Sequence, residues 1–190
     1  LESCIPVGYG KFPLRELSSS EIKFTINDPR MPAPVIVGPG TGDFIALNDL
    51  PDFVWGSALA TEDVSFWNHS GFVPNLIRRG ITLNLDRGRY VYGGSTITQQ
   101  LVKNIFLTRE KTMARKLEEA VLVWLVERSI DKERILELYL NCIEFGPGIY
   151  GIRHAAEVYF GVRPQDLKPI EAAWIMSVKP NPYTWGYKPW

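Results

Sequence analysis

Long hydrophobic runs, cysteines and histidines are scarce in this sequence, and net charge is absent. The longest unbroken apolar run, Ala120 to Val126, covers seven residues, far short of the roughly 20 that a membrane-crossing helix needs. Two cysteines, Cys4 and Cys142, make neither a disulfide framework nor a metal spacing. Cys142 closes an apolar helical pattern and reads as a buried thiol. No metal-ligand spacing is visible elsewhere. No secretory leader pattern is visible either, and a chain starting at Leu1 reads as a segment of something longer, so any anchor is expected outside it.

What is there is a core and a charge pattern. With 190 residues, 45% of them hydrophobic, one compact domain with a real interior is the expectation, and general disorder is excluded. Acidic and basic side chains balance at 21 each, but unevenly. Residues 75–116 hold nine basic side chains against Asp86 and Glu110, while both flanks are acidic on balance. A positive centre points to an anionic partner. Nucleic acid is the generic candidate, but no nucleic-acid motif accompanies the cluster, so none is expected.

Residues 1–49 are rich in proline and glycine and read as an extended N-terminal segment, with one short strand pattern at Glu21–Ile26 and a turn-rich connector from Pro32 to Gly42. From about Leu50 to Trp190 the chain is expected to be mainly helical. Asp52 caps a helix running through Leu59 and Glu62 to Phe66, broken by Gly71 and Pro74. Phe66 to Ile77 is an apolar segment backed by Arg78 and Arg79, suited to a membrane surface or to the core. Lys111 to Arg128 reads as the longest helix, with Met113, Leu117, Ala120, Val121 and Trp124 in one stripe. Its all-apolar run marks it as central and buried. Further helices are expected from an Asp131 cap to Cys142, from Ile152 to Phe160 with Gly161 as stop, and from Pro169 to Val178. Gly146-Pro147-Gly148 turns the chain between the first two of these.

Three groups of residues carry candidate chemistry. The first is Glu62-Asp63 with His69; Glu62, Phe66 and His69 share a face if the first helix persists that far. A carboxylate among aromatic side chains loses hydration and becomes a better proton acceptor. The second is Gly93 to Asn104. Ser95 or Thr96 can cap a helix here, whose polar face carries Thr96, Gln99, Gln100 and Lys103 while Ile97, Leu101 and Ile105 turn inward. Hydroxyls and amides ahead of a lysine at a helix start suit an anion, although a capped helix with a neutral face would look the same. The third is Arg115-Lys116 with Glu119, and Lys111 a turn earlier. Lys111 and Arg115 can face one anion, and Arg115 can pair with Glu119. A carboxylate base, several cations and an anion-binding helix start fit displacement of a phosphate-type leaving group. The residues alone reach a transferase acting on a diphosphate-activated substrate.

Thr61-Glu62-Asp63-Val64-Ser65-Phe66-Trp67-Asn68-His69-Ser70-Gly71 resembles the first motif of the peptidoglycan glycosyltransferases, family 51. Gly93 to Leu101 with Lys103-Asn104 resembles their second. Arg115-Lys116 with Glu119 resembles the third, Lys132 through Asn141 the fourth, and Gly148 to Gly161 with Glu171-Ala172-Ala173 the closing segment. The resemblance implies a mainly α, lysozyme-like domain that polymerises lipid II into β-1,4-linked glycan strands with inversion and loss of undecaprenyl pyrophosphate. By position it implies Glu62 as general base and Glu119 as the second catalytic carboxylate. It implies Lys103, Arg115, Lys116 and Lys111 on the pyrophosphate, and Ser95, Thr96, Gln99, Gln100 and Asn104 lining the cleft. His69 would support the base region, and the last two motifs would be mainly structural. It also implies a bacterial cell-envelope location at the outer face of the inner membrane, with lipid II and the growing strand as partners. The Phe66–Ile77 segment would dip into the membrane, and a partner domain is expected in a longer parent chain. A divalent cation, Mg or Mn, is compatible with a pyrophosphate site, although no ligand spacing marks one. The chain departs from the family at Val73, where an aspartate is usual, and at Trp67, where tyrosine or phenylalanine is commoner. Both departures fall in the segment near the donor site. A lysozyme-like glycosidase and a non-catalytic lipid-pyrophosphate-binding domain stay open as alternatives. Glycosidase chemistry does not require Lys103, Arg115 and Lys116 together.

Overall fold

The fold comes from a computed structural model that describes residues 4–6, 17, 23–26, 35–88, 94–107 and 112–178. Among them, three short strands come first: β1 (Cys4–Pro6), β2 (Lys23–Ile26) and β3 (Val35–Val37). β2 lies parallel to β1 and antiparallel to β3, with Phe24 opposite Val37. The helices follow: α1 (Asp52–Glu62), α2 (Pro74–Arg87), α3 (Ile97–Phe106), α4 (Met113–Ser129) and α5 (Lys132–Cys142). A hairpin of β4 (Glu144–Gly146) and β5 (Ile149–Tyr150) then leads into α6 (Gly151–Phe160) and α7 (Pro169–Val178). The domain is mainly α, as expected.

Local chemistry accounts for most of these boundaries. Asp131 caps α5 by accepting from the Arg134 N–H at 2.8 Å, and Thr112 caps α4 by accepting from the Arg115 N–H at 3.1 Å. Gly161 ends α6 in the left-handed region at φ 67°. The Gly146–Gly148 turn closes the hairpin, as its residues suggest.

Two segments depart from the sequence reading. The helix expected to run from Asp52 to Phe66 stops at Glu62, and Pro51, not Asp52, precedes its first turn. The chain then makes a 3-10 turn at Phe66–Asn68, so Glu62, Phe66 and His69 do not share a helical face. Beyond it, the apolar segment becomes α2, a helix started by Pro74 at its first position and ended by Gly88. Phe66 is fully buried in the core, while Trp67 and Ile77 remain exposed.

The second departure is α4, which is not the buried centre. Met113, Leu117, Val121 and Trp124 are 79%, 68%, 57% and 51% exposed, whereas Glu119, Leu122, Val123 and Val126 point inward. A run that is apolar on all sides carries no phase, so it could not show which face turns in. The helix that fills the centre is α5: Ile135, Leu136, Leu138, Tyr139 and Leu140 are all at most 1% exposed. α5 packs against α3 and α6, α3 packs against α4, and α7 closes over α1.

Described residues before Leu50 are tied into this core. The Asn141 side chain accepts from the Ile45 N–H at 2.9 Å and donates to the Ile45 carbonyl at 2.8 Å, a two-way bond that fixes the segment on α5. Glu137 accepts from the Leu47 N–H at 2.9 Å, and Arg134 donates to the Leu17 carbonyl at 3.3 Å. Three polar residues of the fourth motif thus serve architecture.

Candidate active site

Glu62 ends α1 half-buried, where the last turn of the helix delivers it toward α3. There the Gln100 side-chain amide donates to Glu62 Oε2 at 2.7 Å. Gln100 also reaches the Ser95 carbonyl at 3.4 Å, and Asn104 donates back to the Gln100 carbonyl at 2.7 Å. Ser95, Gln100 and Asn104 therefore stand together beside Glu62, and Lys103 lies on the neighbouring turn. Tyr139 rises beneath them from α5. Burial, followed by the charges of Glu62 and Asp63, holds its hydroxyl well above the usual tyrosine range.

Asp63, the next residue, turns the other way and is 2% exposed. Its carboxylate accepts from His69 Nε2 at 2.9 Å and from the Ile97 N–H, the first residue of α3, at 3.1 Å. The Gly71 N–H donates to His69 Nδ1 at 3.0 Å. With Nδ1 accepting, the ring proton sits on Nε2 and points at Asp63, which fixes the neutral tautomer. His69 thus reaches the base region indirectly, by locking the start of α3 to the end of α1. Anion-favouring N–H groups at that helix start already hold an internal carboxylate.

Thr96 and Gln99, expected to line the cleft, are 1% and 5% exposed. They form a reciprocal cap. Thr96 Oγ1 accepts from the Gln99 N–H at 3.2 Å, and Gln99 Oε1 accepts from the Thr96 N–H at 2.9 Å. The Thr96 hydroxyl also donates to the Gly71 carbonyl at 2.8 Å. These contacts set where Gln100 and Lys103 point. Gly94 enables the approach: a Cβ there would stand 2.7 Å from the Leu76 carbonyl oxygen of α2.

The cationic side of the site is built on α4. Glu119, 2% exposed, accepts from Arg115 Nη1 at 2.9 Å and from the Lys116 ammonium. A buried carboxylate held by two cations is a strongly coupled unit, and removing the carboxylate leaves two adjacent cations uncompensated. Lys103 faces this unit from α3. Desolvation lowers its ammonium below the ordinary lysine range; Glu119 pulls it back up, and Arg115 and Lys116 push it further down. By surface area Lys103 is exposed, so its ammonium stands at a crowded cleft wall and not in the core. Three cations against one carboxylate leave an excess of two positive charges, which suits a diphosphate. Lys111 lies outside the described residues.

Among the described residues no group of three or more histidine, cysteine, aspartate or glutamate side chains converges to hold a metal. Glu119 is already engaged by Arg115 and Lys116. These residues do not themselves fit a divalent-cation cage.

Sequence reasoning passed over one positioning group and gave another no role of its own. Asp63 was visible beside Glu62, but only the chain reversal after α1 buries it against His69. Glu127, in the far half of α4, accepts from the Thr98 hydroxyl and from Lys132 Nζ at 2.7 Å. Both partners were visible in the motifs, but their pairing joins three helices and leaves no local trace.

Residues 37–189 match the family described as Transglycosylase. Among curated proteins, the chain is 47% identical over 139 residues to penicillin-binding protein 1A of Aquifex aeolicus (strain VF5), covering 73% of this chain and 19% of that protein. It is 45% identical over 126 residues to a biosynthetic peptidoglycan transglycosylase of Nitrosomonas eutropha, covering 66% of this chain and 52% of the relative. The match to a protein of the same description from Alcanivorax borkumensis is 40% over 146 residues, or 77% and 60% of the two chains. The chain spans about half the length of these two transglycosylases and a fifth of the penicillin-binding protein.

Proposed function

The chain belongs to the transglycosylase family, and from that premise we propose that its cleft polymerises lipid II into β-1,4-linked glycan strands. The observation that carries the reading is the opposite setting of the two carboxylates. Glu119 is buried and clamped by Arg115 and Lys116, so its charge serves to order cations. Glu62 faces an uncharged donor, the Gln100 amide, at the helix end. A carboxylate oriented by a neutral hydrogen bond can take a proton, whereas one holding two cations is poorly placed to do so.

In this reading Glu62 accepts the proton of the acceptor sugar's 4-hydroxyl as that oxygen attacks the donor's anomeric carbon. The bond to the lipid pyrophosphate breaks on the opposite face, giving inversion. Lys103, Arg115 and Lys116 neutralise the departing pyrophosphate, so no strong general acid is required. Asp63, His69 and the Thr96–Gln99 cap hold Gln100 and Lys103 against the two carboxylates. A Mg or Mn ion enters only as a companion of the pyrophosphate. The described residues supply no cage for it. The work belongs to the bacterial cell envelope, at the outer face of the inner membrane. α2 offers the membrane contact, with Ile77 41% and Leu85 75% exposed and Arg78, Arg79 and Arg87 around them. No helix among the described residues is long and apolar enough to cross a membrane.

The test is polymerisation of lipid II by the chain and its Glu62→Gln variant. Glu62→Gln is expected to stay folded and to form no glycan strands; unimpaired polymerisation overturns the assignment. Release of fragments from finished peptidoglycan would instead favour a hydrolase.

A further inference from the structure

A surface hollow of about 440 Å³ lies outside the cleft, between the 3-10 turn after α1 and the junction of α4 with α5. Trp67, Asn68 and Ser70 form one wall, and Glu127, Asp131 and Lys132 the other. Apart from His69, none of its lining residues has a part in the mechanism above. Glu127 is eight residues beyond Glu119 on α4, about 12 Å along the helix axis. The hollow and the cleft are joined through His69, which also lines the hollow and bonds Asp63, the neighbour of Glu62.

The charge of the hollow narrows its ligand. Lys132 is its cation, and its ammonium is held by Glu127 at 2.7 Å while lying 4.4 Å from the Phe66 ring centroid. With Asp131 exposed beside it, the lining carries an excess of one negative charge, which disfavours phosphates and other anions. No metal-ligating group of three occurs there. A mostly polar lining disfavours an alkyl chain. What remains is a neutral, polyhydroxylic ligand with an apolar face.

Trp67 is built to receive that face. It is 45% exposed, yet its indole is not loose. Trp55 meets it at 6.4 Å between ring centroids and 89° between planes, and Phe66 at 5.1 Å and 67°. Both are edge contacts, so neither neighbour lies flat on the indole. A rigid, half-exposed indole beside the exposed side chains of Asn68 and Ser70 matches a pyranose, whose C–H face stacks while its hydroxyls and acetamido group find polar partners.

We propose that this hollow is an accessory glycan subsite, holding about one disaccharide of a β-1,4-linked amino-sugar strand outside the reaction cleft. The proposal rests on the glycan-polymerising reading of the cleft. A strand held at the hollow stays close to the site between additions, so its loss shortens the product without removing the chemistry.

The test titrates chitotetraose into ¹⁵N-labelled protein and follows the Trp67 indole N–H and the Asn68 side-chain amide, with glycan length measured on lipid II in parallel. The expected result is a shift of both signals and weaker binding on the order of tenfold in Asn68→Arg, which fills the mouth of the hollow with an exposed side chain. Trp67→Phe is the second variant and is expected to weaken binding less. Asn68→Arg should consume lipid II at the wild-type rate but yield shorter strands. Shifts confined to Gln100 and the cleft, equal binding by Asn68→Arg, or displacement of the Trp67 signal by anionic lipid vesicles in place of the sugar each overturn the proposal. The outcomes separate the two readings: failure of the wild type to polymerise lipid II strikes the cleft assignment, whereas polymerisation without sugar contact at Trp67 strikes only the subsite.

Discussion

Replacing Asp63 by asparagine exchanges one carboxylate oxygen for an amide and changes almost nothing in size. The site receives two donors, the His69 Nε2–H at 2.9 Å and the Ile97 N–H at 3.1 Å. Nε2 stands 2.9 Å from both carboxylate oxygens, and Oδ2 also takes the Ile97 N–H. An asparagine oxygen in place of Oδ2 keeps both donors but sets an amide N–H against Nε2–H, and the flipped amide sets one against the Ile97 N–H. His69 cannot relieve the conflict by moving its proton, because Nδ1 already accepts from the Gly71 N–H at 3.0 Å. An amide N–H is turned against a buried donor in either orientation, costing about 1–3 kcal/mol, and the charge-assisted character of both bonds is lost as well. The expected destabilisation of Asp63→Asn is therefore about 2–4 kcal/mol. For a chain of this size that lowers Tm by roughly 5–15 °C. Urea unfolding of the wild type and variant checks it, with an unchanged m value showing that the same surface is exposed. The double variant with His69→Ala is expected to cost at least about 1 kcal/mol less than the sum of the single changes, because one of the conflicting donors is gone. Stability of Asp63→Asn within about 0.5 kcal/mol of wild type refutes the reasoning.

Gly71→Ala is expected to destabilise by about 2–4 kcal/mol in the same assay, since φ is +83° and the added Cβ would stand 2.4 Å from Val123 Cγ1. Lys103→Arg should move the alkaline limb of the kcat/KM profile upward, because the lysine titrates below its ordinary value of 10.5 and arginine stays charged. The lysine's lowered pKa has the matching sign for folding. The folded state releases the proton before the unfolded one, so the lysine's penalty is present below the folded pKa and relieved as pH rises toward 10.5; urea titrations across that window check it. Leu117→Gln should change stability by no more than about 0.5 kcal/mol, the value for exposed positions, and Trp124→Gln by about 1 kcal/mol, since the Arg128 guanidinium lies 4.8 Å over its ring; a buried central α4 would lose several kcal/mol at each.

The sequence made legible what depends on near neighbours. Asp131, Gly161 and Pro169 marked helix ends by their own chemistry, and α5, α6 and α7 begin or end where those residues stand. Gln100 and Lys103 were readable as one polar face of α3. What depends on the chain folding back was not readable. Asp63 is buried because the turn at Phe66–Asn68 brings His69 over it, and no local pattern encodes that reversal. Thr96 and Gln99 looked like ligand-facing groups because a capping box and a polar binding face use the same residue types. α4 looked central because its length and greasiness were visible, while the side it turns inward packs on α3, where Glu127 takes the Thr98 hydroxyl, three-dimensional information that a seven-residue apolar run cannot hold.

The thiol at the end of α5 offers a use beyond packing. Cys142 is 1% exposed, and burial, partly offset by Arg134, pushes its pKa up to about 12. At pH 8 the folded protein holds a thiolate fraction on the order of 10⁻⁴ at a sulfur that reagents cannot reach. An alkylating agent therefore waits for the junction of α5 with the hairpin to open before it reacts. With Cys4→Ser to leave a single thiol, the labelling rate becomes a stopwatch for local opening beneath the cleft. Its slowing when a lipid pyrophosphate binds would show, without any attached dye, how far occupancy of the cleft tightens the helix on which Tyr139 stands.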